Sequence, residues 1–134
     1  DQSFSVVIPA TIGEDQDLLA RFNNHMQGTH ELYRDLINAG VPAEDARFVL
    51  PNAAATKLVM TMNARELHHF FGLRCCRRSQ WEIQAMAREM LRLARQAAPR
   101  LFTRAGPGCL HASCPEGSMT CGAIREVREE YAKL

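Results

Sequence analysis

Thr56-Lys-Leu-Val-Met-Thr-Met62 is a β-prone run that passes without a break into Asn63-Ala-Arg-Glu-Leu-His-His-Phe-Phe-Gly-Leu73, where Leu67, Phe70 and Phe71 recur at helical spacing. The run before Asn63 reads as a strand because it is rich in residues that suit a pleated surface. Asn63 is placed to accept a hydrogen bond from the first free amides of a helix beginning at Ala64. A strand-to-helix junction is therefore expected at Asn63, with Gly72 weakening the last turn before Arg74.

Upstream, Ser3-Phe-Ser-Val-Val-Ile-Pro9 is a second short β-branched run closed by proline, and it is expected to form a strand. From Asp15 to Ala39 the apolar positions Leu19, Phe22, Met26, Tyr33 and Leu36 or Ile37 follow the spacing of an amphipathic helix stopped by Gly40. Val41-Pro42-Ala43-Glu44-Asp45 opens a shorter helical segment that contains Arg47 and ends before Pro51. Downstream, a long helix is expected from Ser79 to about Ala98, with Ile83, Met86, Met90, Leu93 or Ala94 and Ala97 on one stripe and Arg88, Arg92 and Arg95 on a solvated face. Residues 105–121, dense in Gly, Pro, Ser and Cys, read as a loop, and Ile124 to Lys133 as an exposed terminal helix. Together these elements predict an α+β fold, mostly helical, whose two short strands join a sheet completed by other segments or by neighbouring subunits.

Composition narrows the functional classes. The chain has 134 residues, 46% of them hydrophobic, and a formal net charge of +1, which suits a modest globular core and disfavours electrostatic wrapping of nucleic acid. No run approaches the ~18 uninterrupted apolar residues of a membrane span, so no membrane partner is expected. Asp1 is not followed by a basic and then apolar leader, and the five cysteines form an odd set with Cys75 and Cys76 adjacent; a reducing cytoplasm is expected. Of the 16 basic side chains only Lys57 and Lys133 are lysines, so the positive charge is carried by planar guanidinium forks suited to phosphate and paired carbonyl oxygens.

The densest polar cluster runs from Asn63 to Glu82 and contains Arg65, His68, His69, Arg74, Arg77 and Arg78. The helix and the loop after it can gather Asn63, Arg65, His69 and Arg74 around one anion-holding cleft, while salt bridges to Glu66, Glu82 and Glu89 are the competing use of these arginines. Adjacent His68 and His69 point about 100° apart on a helix and are poorly placed to share one metal.

Ala46-Arg47-Phe-Val-Leu-Pro51, Thr61-Met-Asn63-Ala-Arg65-Glu-Leu-His-His69-Phe, Leu73-Arg74 and Gln80-Trp81-Glu82-Ile83 stand in an order and spacing that resembles the C-terminal half of a flavin-dependent thymidylate synthase. Phe4 to Pro9 resembles the segment ending in Ile-Pro that follows that family's signature, and the likeness extends over residues 4–104, leaving 105–134 as a Cys/Gly/Pro-rich loop and terminal helix. The resemblance implies that family's fold and conversion of dUMP to dTMP, with methylenetetrahydrofolate as carbon donor, FAD as cofactor and NADPH as its reductant. By position, Arg74 is implied to contact the uracil carbonyls and stabilise the enolate-like ring. Arg47 is implied as a second dUMP-binding arginine, and Asn63, Arg65, His69 and Leu73 as residues lining FAD. Arg78 stands where some members carry a histidine, so no proton transfer is implied there. A homotetramer is also implied, and the family's Arg-His-Arg-x-x-Ser signature for FAD and phosphate is expected from an N-terminal half.

An alternative from a different class rests on Cys109-Leu-His111-Ala-Ser-Cys114 with Cys121 beyond it. These residues are four candidate zinc ligands, and a non-catalytic helical interaction module with a structural zinc is the function they would imply. A Cys114 to Cys121 disulfide and free thiols remain open for the same loop.

Overall fold

In the computed structural model, which describes residues 4–134, the described chain falls into two compact units that divide after Val59. In the first, helix α1 (Ala10–Gly13) follows Pro9 and leads to the long α2 (Gln16–Asn38). Asp15 caps α2 by accepting from the amides of Asp17 and Leu18 at 2.9 and 3.0 Å. Gly40 adopts φ 84°, the left-handed turn that stops the helix. A short α3 (Ala43–Ala46) then tightens into a 3-10 turn at Arg47–Val49. Met26 and Ala46 are the buried apolar residues of this unit among the described residues.

The second unit, Met60–Leu134, holds α4 (Ala64–Arg74), α5 (Trp81–Ala97), α6 (Pro99–Phe102) and α7 (Ile124–Ala132). Its core joins Phe71 and Cys75 at the end of α4, Ala87 and Leu91 of α5, Phe102 of α6, and Val127 and Tyr131 of α7. Each large apolar side chain so buried contributes about 1.5–3 kcal/mol. The loop between α6 and α7 is part of this core, since Ala105, Pro107 and Cys109 are buried. Gly106 makes that approach possible: it sits at φ 152°, and a Cβ there would lie 2.9 Å from Leu110 Cδ2.

The expected α+β class is corrected to an all-helical one. Among the described residues no strand forms, and the nearest approach to a sheet is one isolated antiparallel bridge between Val6 and Ala54. It is held by Val7 N–H donating to the Ala53 carbonyl at 2.9 Å and Ala55 N–H donating to the Ser5 carbonyl at 2.8 Å. Ser3, the first residue of that expected strand, lies outside the described residues. Pro9, which lacks an amide, and Pro51 fall opposite one another in this register and close one end of the pairing. The run Thr56 to Met62 is irregular and pairs with nothing among the described residues, leaving Leu58, Val59 and Met60 exposed by 74%, 98% and 51%. Strand propensity expresses fit to a pleated, half-buried surface, and with no partner supplying the ladder it does not make a strand. The two-stranded contribution to a sheet completed by other segments or subunits is therefore not found among the described residues.

Candidate functional site

α4 organises the site. Asn63 caps it as expected, its Oδ1 accepting from the Glu66 amide at 2.9 Å, and Glu66 places a negative charge in the first turn. Ala64, Leu67, Phe70 and Phe71 turn toward the core. The opposite face carries Arg65, His69 and Leu73 at successive four-residue spacings, so the three stack on one exposed stripe. Arg74, the last residue of the helix, lies about 100° round from Leu73 and is also exposed. Arg47 belongs to the first unit, exposed at the start of its 3-10 turn beside Phe48, which is 85% exposed. The structure thus brings Arg65, His69 and Leu73 together and puts Asn63 and Arg74 at the two ends of the same helix.

The arginines separate by what they touch. Among the described residues, the side chains of Arg47, Arg65, His69 and Arg74 make no hydrogen bond or ion pair. Others are committed to the fold. Arg77 and Arg88 both pair with Glu130, Arg77 at 3.2 Å, and Arg88 also lies 5.5 Å from the centre of the Tyr131 ring. Arg95 donates to three carbonyls, Tyr131 at 2.9 Å, Ala105 at 2.9 Å and Phe102 at 3.3 Å. The expectation that Arg88 and Arg95 form a solvated face is corrected, and only the Arg92 and Glu89 pair behaves as an exposed surface contact. Their seven-residue spacing about the buried Leu91 was the signal available for this, since it puts both beside the core. His68 is likewise structural: its Nε2 donates to the Leu101 carbonyl at 2.9 Å and its ring stacks on Phe102 at 5.3 Å.

The zinc reading finds no support. Among the described residues no group of three or more His, Cys, Asp or Glu side chains is arranged to hold a metal. Cys109 is drawn into the apolar core, His111 Nε2 donates to the Arg104 carbonyl at 3.1 Å, and Cys121 is exposed. Burial raises the Cys109 thiol above its ordinary value, which disfavours the thiolate a metal needs. All five cysteines are free thiols, so Cys114 and Cys121 form no disulfide.

The α4 face suits a flat heteroaromatic group. Leu73, 49% exposed, offers an apolar contact in line with the donors of His69 and Arg65, and neither donor is committed elsewhere among the described residues. An unpaired guanidinium at the helix end, such as Arg74, suits paired carbonyl oxygens or an anion.

Residues 1–100 match the family described as thymidylate synthase complementing protein. The flavin-dependent thymidylate synthase of Geobacter sulfurreducens is 55% identical over 131 residues, covering 98% of this chain and 56% of that protein. Those of Clostridium tetani and Pyrococcus furiosus are 39% and 42% identical, each over 96% of this chain and 58% and 55% of their own lengths. The chain spans about half the length of the curated relatives it matches. With its first hundred residues fitting the family and more than half of its positions identical to one member, the chain belongs to the thymidylate synthase complementing protein family.

Proposed function

We propose that this chain supplies the nucleotide-activating arginine and one wall of the flavin pocket of a flavin-dependent thymidylate synthase, an enzyme that converts dUMP to dTMP. The observation that carries the reading is the exposed Arg65, His69 and Leu73 stripe on α4, ending at an uncommitted Arg74, in a chain of this family. Arg74 grips the uracil carbonyls, and its fixed charge stabilises the enolate-like ring as carbon is added, a charge developing where the guanidinium already waits. Arg47 is a second nucleotide contact. Asn63, Arg65 and His69 hold the flavin's polar edge through hydrogen bonds, and Leu73 covers part of its apolar surface. Bound there, FAD would supply one-carbon and hydride transfer chemistry, with methylenetetrahydrofolate as the carbon donor and NADPH as the reductant. Phosphate and further flavin contacts come from the N-terminal half and from neighbouring subunits of a tetramer working in the cytoplasm.

The reading is tested by titrating the flavin-loaded protein with dUMP. Arg74→Ala is expected to abolish measurable dUMP binding while flavin absorbance and the thermal midpoint stay unchanged. Unchanged dUMP affinity would remove Arg74 from the site.

A further inference from the structure

A helix leaves its last carbonyls without intrahelical partners, and they need donors from elsewhere. At the end of α4 two hydroxyls fill that need on either side of Arg74. Ser79 Oγ donates to the Leu73 carbonyl at 2.9 Å, and the buried Tyr131 hydroxyl donates to the Cys75 carbonyl at 3.0 Å. Ser79 is local, in the turn that follows the helix. Tyr131 comes from α7, outside the residues matched by the family.

Tyr131 is itself held tightly. The residue is 3% exposed, its carbonyl accepts from Arg95 at 2.9 Å, and the Arg88 guanidinium lies over its ring. The preceding residue, Glu130, pairs with Arg77 in the turn just beyond Cys75. Two adjacent residues of α7 therefore brace the backbone on which Arg74 stands, while the Arg74 side chain is left exposed and unpaired among the described residues.

We propose that Tyr131 is a positioning residue for Arg74, with Ser79 as its local counterpart, so that α7 sets the aim of the nucleotide-binding guanidinium. The inference rests on the reading of Arg74 given above. Small displacements of an orienting group are enough to weaken binding and turnover, so losing one hydroxyl cap is expected to be visible at the ligand.

The test compares dUMP affinity by calorimetry, and amide exchange across residues 71–78, in the flavin-loaded protein. Tyr131→Phe keeps the buried ring and removes only the donor. It is expected to speed exchange across residues 71–78 and weaken dUMP binding about three- to tenfold, with flavin retained. Ser79→Ala is expected to act in the same direction. Arg128→Gln is the control, because Arg128 anchors the same C-terminal segment through the Cys109 and Ala112 carbonyls, at 3.1 and 2.8 Å, without touching the end of α4. It should lower the thermal midpoint yet leave dUMP affinity within about twofold of the parent. Equal affinity in Tyr131→Phe and the parent, or equal loss in Tyr131→Phe and Arg128→Gln, would overturn the positioning role. Undiminished dUMP binding by Arg74→Ala would instead overturn the site reading itself, so the two failures are told apart by one series.

Discussion

Arg95 and Arg74 show how one residue type divides between fold and function. Arg95 spends its guanidinium on carbonyls of α6, of the loop after it and of α7, a fork that a lysine ammonium cannot reproduce. Arg95→Leu leaves those acceptors without their donor and is expected to destabilise the second unit by about 2–4 kcal/mol, read as a lowered urea midpoint. Arg95→Lys should recover only part of that loss. Arg74→Ala should leave the same midpoint unchanged, because no group of the fold among the described residues depends on it. The amino-acid sequence separated these roles only through the family resemblance: spacing alone assigned Arg88 and Arg95 to solvent. What it lacked was the position of α7, whose Glu130 and Tyr131 turn that face of α5 into a partly buried contact.

At the scale of elements, α4 was legible because several local signals agree: a cap at Asn63, an acid in the first turn, and apolar residues on one side. Asn63→Ala is expected to cost about 1 kcal/mol of stability, whereas Asn63→Asp keeps the capping acceptor and should cost little. If Asn63 also contacts the flavin, the aspartate variant will still weaken FAD retention, since it replaces an amide donor by an anion; a fluorescence titration with FAD separates cap from ligand contact. The long α2 was legible for similar reasons, from Asp15 at its start to Gly40 at its end. Thr56 to Met62 was misread because β-branched and apolar content is a statement about surroundings. These residues meet no second strand among the described residues, and a backbone without a ladder partner does not become a sheet.

On the scale of the molecule, the second unit is a core closed by its C-terminal segment: α7 and the loop before it bury Cys109, Val127 and Tyr131 against α4 and α5. That closure has a pH signature. Burial raises both the Cys75 thiol and the Tyr131 hydroxyl above their ordinary values of 9.0 and 10.0. Both are neutral when protonated, and the folded state holds those protons more tightly than the unfolded chain. Stability is therefore fully present below pH 9.0 and is lost progressively above it, first through the buried thiols of Cys75 and Cys109 and then through Tyr131. The urea midpoint should be flat in this respect near neutrality and fall in alkali, and the double variant Cys75→Ala/Cys109→Ala should move the onset of that fall upward toward the tyrosine range. The amino-acid sequence alone was sufficient for the four longer helices, the Asn63 cap, the Gly40 stop, the uncommitted arginines as candidates and the family, because periodicity, capping and motif spacing are written in short stretches of chain. The absence of a sheet among the described residues, the structural work of Arg88 and Arg95, the dispersal of the proposed zinc ligands and the bracing of Arg74 by Tyr131 required the tertiary structure. Each depends on groups far apart in the chain, Cys75 and Tyr131 above all, and local pattern carries no record of which distant donor will meet a given carbonyl.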